Sequence, residues 1–546
     1  MRRYAALLCA TLAVAGCGER KPPVAVPEYR VLDQPAVVQE LRRHIDQFPR
    51  TLDPALSEDQ SAQRVLDDLF EGLLRLDPQG GVVPAVARRW ETSEDGKRWV
   101  FHLREDARWS DGAPVTAEDF VYAWRRTADP RTGSPNAQGF LPLVNATQVT
   151  AGKLASDQLG VRAVDALTLE VSLEESTAYF ASLVTTPYFY PVQRNAVETG
   201  GEQWTRPGKL VSNGAFTLRD YRVGGSITLV KNEAYWDAQA VGITKVTYFP
   251  IGDRAAASSR FIAGGVDVTD SVAAEDVAWL RKRLGTQLVV APFLGTMMFA
   301  MDVVKPPFDR KPLRLAMTMA IDRDILARYV LKDVYLPAYN LVPPLPGYTP
   351  VLPDWARLPR AERHAAAQKL YQEAGYSKQR PLRVELVYPT SSPDVRRMME
   401  ALAAMWRMNL GAEVQIYNEE WRVLQQNRRL GLHRFYWYSW LGDYPDPLTF
   451  VGLFRAGNGQ NFGGYLNADY DRLVNEAEGM LDPQARARTF GRAEALLNED
   501  APFVPIYYYT SRHLLKPYVR GWQANALDRH LTRDLTLLAH ATDGER

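Results

Sequence analysis

The sequence predicts an α/β protein, on three observations. Short runs of alternating apolar and polar residues interleave with helical patterns along the chain. The 546 residues are 46% hydrophobic and 24% charged, the balance of a globular protein with large cores. Lys plus Arg number 65 and Asp plus Glu 64, a net charge of +1 that argues against a disordered chain and against a nucleic-acid partner. At ~100–200 residues per domain the length allows three or four domains, and no tandem repeat of solenoid period is present.

In chain order, residues 99–103 (Trp-Val-Phe-His-Leu) read as a strand. Thr116 is an N-cap followed by acidic residues, which starts a helix over 117–126. Residues 167–173 alternate as a half-buried strand, and 226–231 do likewise. A helix over 361–374 stops at Gly375, a residue that accepts the left-handed turn ending a helix. A strand over 382–388, an amphipathic helix over 394–408 and a helix over 484–498 follow. Proline-rich breaks fall at 305–307 and 341–353, the second long enough to be a surface loop. Some antiparallel edges are expected on the sheets.

The first residues are an address. Arg2 and Arg3 precede an apolar run over 4–15, shorter than the ~20 residues a membrane span needs, so 1–16 reads as a signal peptide. It ends Ala15-Gly16-Cys17, which looks like a bacterial lipobox, with Cys17 as the lipidated residue. Residues 17–30, with Pro22, Pro23 and Pro27, read as a flexible tether. Gly18 is not the aspartate that holds many Gram-negative lipoproteins at the inner membrane, which leaves an outer-membrane address open. The body is expected outside the cytoplasm.

Several chemistries are absent from the pattern. Cys9 and Cys17 are the two cysteines, so the body has no thiol for a disulfide, a zinc site or a nucleophile. No two of the seven histidines have the i, i+4 spacing of a zinc-protease helix. There is no phosphate-cradling loop and no G-x-S-x-G elbow; Gly264-Gly265 is a turn signal. Asp443 and Asp446 sit among prolines in a loop, a weak basis for paired-carboxylate catalysis. No catalytic residue, metal or cofactor is predicted.

Aromatic residues concentrate instead in two clusters. Phe435-Tyr436-Trp437-Tyr438-Ser439-Trp440 leads into Leu441-Gly442-Asp443-Tyr444-Pro445, and Tyr507-Tyr508-Tyr509 forms the second. An alternating strand sends half of such a cluster inward and half outward. A carboxylate at the rim of an aromatic strand suits a cationic, amphipathic ligand, since rings flank an ammonium and the carboxylate gives a charge-assisted hydrogen bond.

Ordered blocks along residues 30–530 resemble one family. They include Leu52-Asp53-Pro54, Trp109-Ser110-Asp111-Gly112-Ala113-Pro114-Val115-Thr116-Ala117-Glu118-Asp119-Phe120-Val121, Ser212-Asn213-Gly214-Ala215-Phe216, Asn232-Glu233-Ala234-Tyr235-Trp236, Met319-Ala320-Ile321-Asp322-Arg323 and Val504-Pro505-Ile506-Tyr507-Tyr508-Tyr509. The family is the oligopeptide-binding proteins of bacterial ABC importers, the large extracytoplasmic solute-binding class (family 5), here in lipoprotein form. The resemblance implies a two-lobed periplasmic-binding-protein fold with a hinge. Lobe I would be 31–294 plus 510–546, with an extra subdomain at about 72–195, and lobe II 295–509. It implies a monomer without catalytic activity that closes on an oligopeptide and delivers it to an ABC permease, with a lipid anchor to the membrane and no nucleic acid.

Carried over residue by residue, Asp443 matches the carboxylate that pairs with the peptide ammonium, and Trp440, Trp421 and Tyr509 match pocket-lining aromatics. Arg428 and Glu58 fall at charged pocket positions, and Ser271 near a hinge segment that contacts ligand backbone. Departures occur where relatives place basic residues around the ligand carboxylate. Trp437 stands for an Arg, Leu331 for a Lys (with Lys332 adjacent), and Pro393 or Asp394 for a His, while Asn136 replaces a tyrosine. Amine recognition looks retained and carboxylate recognition remodelled, with Arg428, Arg396 or Arg397 available to compensate. A specialised ligand (murein peptide, dipeptide or cationic non-peptide solute) and a surface receptor or chaperone-like role on the same fold are the alternatives.

Overall fold

The computed structural model describes residues 27–390, 393–442 and 444–542. The leader, Cys17, most of the tether and Asp443 lie outside the described residues. Two large apolar cores organise the chain, with a third, smaller cluster of residues from Phe261 to Leu284 with Val334 and Leu514 beside them. One large core gathers buried residues from Leu41 to Val268 and again from Tyr518 to Leu538, and the other gathers Leu294 to Tyr507.

In the first core, Glu40–Ile45 runs parallel to Lys245–Pro250, which pairs antiparallel with Ile227–Lys231 and through it with Phe216–Tyr221. The sheet continues past Glu40–Ile45 through residues 267–269. The His44 N–H donates to the Val268 carbonyl at 2.8 Å, and the Thr269 N–H to that of Leu514 at 3.0 Å. A second, antiparallel sheet in the order Ala87–Thr92, Arg98–Leu103, Thr168–Ser172, Val161–Asp165 belongs to the same core, with helix Ala117–Ala128 against it. That helix starts as its sequence dictates: the Asp119 carboxylate accepts the Thr116 N–H at 2.8 Å and hydroxyl at 3.0 Å.

The second core is built on a six-stranded mixed sheet, ordered Leu336–Pro337, Phe503–Leu514, Leu288–Met301, Phe435–Leu441, Arg383–Pro389, Glu413–Glu419. Helices Lys311–Met319, Arg360–Glu373, Pro393–Leu410 and Pro483–Asp500 surround it. Trp406 is fully buried here and donates its indole N–H to the Met317 carbonyl at 2.8 Å. Predicted strands and helices are present throughout, with ends displaced by one or two residues.

Two expectations are corrected. The aromatic strand is not half in and half out. Phe435, Tyr436, Trp437 and Tyr438 are all buried, because the strand is interior to the sheet and covered on both faces. Residues 341–353 are not a surface loop along their length: Leu341, Val342, Leu345 and Tyr348 are buried. One fully buried carboxylate, Glu494, holds the segment. It accepts the Asn340 amide (2.9 Å), the Val342 N–H (2.9 Å), the Tyr348 hydroxyl (2.7 Å) and the Val351 N–H (2.9 Å). Burial pushes the Glu494 carboxyl up to about 7, against the lowering effect of these bonds.

Leu288–Met301 and Phe503–Leu514 join the two halves. They pair antiparallel from Leu288↔Leu514 to Pro292↔Thr510 and again from Thr296↔Tyr508 to Ala300↔Phe503. Between these stretches the ladder breaks, and Leu294 turns to other partners. Its N–H donates to the Ala526 carbonyl and its carbonyl accepts the Gly442 N–H, each at 2.8 Å. Among the described residues, no helix is long and apolar enough to cross a membrane.

Candidate functional site

The seam between the cores opens into a cleft with three large cavities; that of about 660 Å³ is walled by Asn136, Tyr179, Tyr188, Tyr444 and Glu478. Another, of about 620 Å³, is walled by Glu58, Asn136 and Tyr188 on one side and by Phe293, Leu441, Gly442 and Tyr444 on the other. The third, of about 800 Å³, is walled by Asp46, Asp270, Glu275, Tyr335 and Arg512. Gln60 borders the last two.

The loop that carries Asp443 is fixed on either side of it. At Gly442 the N–H is bonded to Leu294, and a Cβ there would stand 2.6 Å from the Leu294 Cγ, so only glycine fits. Three residues past Asp443, the buried Asp446 accepts the Leu448 N–H at 2.9 Å and pairs with Arg486. Arg486 also donates from Nε to the Ala477 carbonyl at 3.0 Å and lies over the Phe490 ring at 4.6 Å. Asp446 is thus a structural anchor, not half of a reacting pair. No sequence signal finds its partner, which lies forty residues on.

Trp440 borders a further cavity of about 250 Å³ together with Tyr179 and Tyr444, and its indole N–H donates to Thr449 Oγ1 at 3.2 Å. Tyr509 is half-buried, edge-on to Tyr335 and Tyr507 with centroids 5.9 and 5.3 Å away. Trp421 opens helix Trp421–Arg429, capped by the Glu420 carboxylate, and is 46% exposed. Arg428 is buried on the same helix, stacked over Phe462 (4.5 Å) and Tyr438 (4.9 Å), with its Nε lacking a hydrogen-bond partner. Burial pushes its guanidinium down from the usual arginine range. Glu58 is exposed at the rim of the 620 Å³ cavity, 3.9 Å from Arg50. Ser271 donates its hydroxyl to Asp46 at 2.5 Å, between two residues, Asp270 and Ala273, that wall the 800 Å³ cavity.

Of the positions that depart from the family pattern, the side chains of Pro393 and Asp394 lie outside the described residues, and the other three sit in apolar surroundings or make structural bonds. Trp437 is buried edge-on to Phe299, and Leu331 is buried among Tyr335, Met398 and Tyr507. Asn136 donates to the Ser57 carbonyl at 2.7 Å, tying down the segment that carries Glu58.

One cluster escaped the sequence pattern altogether. His513, Asp528 and His530 converge with ligand-type atoms within 4.8 Å of one another, all buried. Asp528 accepts from His513 at 2.6 Å on one oxygen and from Arg64 at 2.7 Å on the other, and His513 also bonds the Thr269 carbonyl at 2.9 Å. Burial alone would raise the Asp528 carboxyl, but His513 and Arg64 hold it well below the usual range. A cation already lies against this carboxylate, so the cluster is an ion-pair network tying a crossing strand to the C-terminal segment.

These observations define a two-lobed binding protein: separate cores, two joining strands and a cleft between. Residues 81–462 match the bacterial extracellular solute-binding proteins, family 5 (middle), and the chain belongs to that family. It is 38% identical to the periplasmic murein peptide-binding protein MppA of Escherichia coli over 523 residues, 95% of each chain. It is 35% identical to the periplasmic oligopeptide-binding protein OppA of Salmonella typhimurium over 541 residues, 98% of each. The unliganded open form of MppA superposes with a TM-score of 0.89 at 37% identity, covering 93% of this chain and 99% of that one. A Haemophilus influenzae OppA complex with the peptide RPPGFSPFR gives 0.69 at 32% identity over 93% and 100%. The lobes therefore stand as in the open form.

Proposed function

We propose that this protein is the extracytoplasmic solute-binding component of an ABC importer, taking oligopeptides between its lobes and handing them to a membrane permease without chemical change. The observation that carries this reading is the open cleft between two separately cored lobes, in a chain alike over nearly its whole length to proteins named for binding peptides. Lobe I comprises 31–294 and 510–546, with a subdomain at 72–195, and lobe II comprises 295–509. Asp443 pairs with the peptide ammonium, Trp440, Trp421 and Tyr509 wall the ligand, and Glu58 and Ser271 flank its backbone. Lipid on Cys17 tethers a monomer to the membrane.

A murein-type peptide is a second variant of this reading, supported by the 38% identity to the murein peptide-binding protein MppA.

Native mass spectrometry of protein purified from cells, with identification of what denaturation releases, tests the reading. Co-purified peptides support it, and a single non-peptide mass overturns it. Calorimetry on Asp443→Ala is expected to show at least about tenfold weaker peptide binding.

A further inference from the structure

A small apolar chamber opens beside the cleft where Leu331 stands. It measures about 70 Å³ and is walled by Val330, Leu331, Val334, Tyr335, Met398 and Tyr507, with Lys332 and Glu275 at its rim. Ala274, Glu275 and Tyr335 are shared with the 800 Å³ cavity, so the chamber is an alcove of the cleft. Ala274 and Glu275 precede the crossing strands in the chain and the other walls follow the first of them, so both sides of the seam contribute.

The backbone that makes this alcove is unusual. Leu326–Val330 is a π-helical turn, in which the Leu331 N–H reaches the Leu326 carbonyl at 2.9 Å. It is followed by Lys332 and Asp333, both at φ 55, a left-handed conformation that L side chains rarely adopt. The effect is to bury Leu331 and Val334 while Lys332 and Asp333 project to solvent. π turns and left-handed non-glycine residues gather where a ligand is gripped.

We infer that this alcove is a specificity pocket for a branched aliphatic side chain of the bound peptide. The inference rests on the peptide-binding reading above. An apolar cavity of this size has room for an isobutyl-sized group, being roughly half the ~150 Å³ of a cavity that accepts benzene. The apolar walls give a charged group no partner inside the chamber, so a lysine must carry its ammonium out to the rim and leaves the interior less well filled than a leucine does.

The test is calorimetry on the full mature chain with tetra-alanine and its eight variants carrying one leucine or one lysine at each position. One position is expected at which leucine binds about ten- to fiftyfold tighter than alanine, from burial of three further carbons, and at which lysine binds more weakly than leucine. In Leu331→Lys, checked for folding by circular dichroism, the leucine advantage is expected to fall below about twofold. Tetra-alanine binding with no leucine gain at any position overturns the pocket and leaves the peptide reading intact. Failure of every peptide in the series to bind the wild type overturns both.

Discussion

The rings of Tyr179 and Tyr444 lie face to face, 4.1 Å between centroids and 5° from parallel. Both sit at the margins of both cores, and Tyr444 is the neighbour of Asp443. Beside them the Ser176 hydroxyl donates to the Gly479 carbonyl at 3.3 Å. The two halves therefore touch at a second point, away from the crossing strands, while the cleft is open. A stacked pair adds roughly 0.5–1.5 kcal/mol beyond its buried area, which opposes any closure that separates the rings. Tyr179→Ala is expected to raise the closed population and tighten peptide binding by about two- to tenfold. Small-angle scattering and calorimetry read the two effects. An unchanged radius and affinity would mean that the rings travel together.

Arg486 is the buried counter-ion of Asp446, and together they hold the far end of the Asp443 loop. Arg486→Met strands the Asp446 carboxylate in apolar surroundings, a loss of about 3–5 kcal/mol. Urea unfolding checks this. The double change Arg486→Met with Asp446→Asn is expected to cost less than the sum of the two single changes, because the pair acts as a unit. Ligand affinity is expected to fall in the same variants, since the loop loses its anchor.

How far the sequence could be read depended on whether the signal was local. Thr116 with Asp119 and the glycine stop at Gly375 are contained within a few residues, and their helices stand where predicted. The burial of Phe435 to Tyr438 on both faces depends on neighbours at 288–301 and 383–389 that no local pattern announces. The segment 341–353 reads as a loop because its prolines break structure, yet a carboxylate some 150 residues later buries it. The same holds for the site. Trp440 is singled out in the sequence by its aromatic run and the following Gly442, and it borders a cavity of the cleft. Nothing in the sequence singles out Tyr179 and Tyr335, which meet the cleft through tertiary contacts alone, or Arg486, which pairs with Asp446 behind it.

Gly295 stands at the break in the crossing strands, and the space beside it is filled. A Cβ there would lie 2.5 Å from Leu441 Cδ2, 2.9 Å from Tyr509 Cδ2 and 3.2 Å from the Trp440 carbonyl. Gly295→Ala must push the Phe435–Leu441 strand away from its neighbour or displace the Tyr509 ring. Overpacking of this kind costs about 1–3 kcal/mol. Since Tyr509 and Trp440 are ligand walls in the proposed site, peptide binding is expected to weaken as well. A melting curve and a calorimetric titration of one variant give both numbers, and a variant as stable as the wild type would show that the strands yield freely.

Glu494 makes stability depend on pH through a single buried group. Its carboxyl titrates at about 7 in the folded protein and at 4.5 when unperturbed. The folded state therefore holds this proton more tightly than the unfolded state does. The resulting stabilisation is fully present below the unfolded value and is lost as pH rises through about 7. The difference corresponds to about 3 kcal/mol. Glu494→Gln cannot ionise, so it lacks this slope, although its amide faces the Val351 N–H and lowers stability by a constant amount. Chemical unfolding of both proteins from pH 5 to 8 isolates the effect in the wild-type-minus-variant difference. That difference is expected to fall by about 3 kcal/mol across the range, loosening segment 340–351 first. A difference that stays level would place the ionisation of Glu494 at its ordinary value.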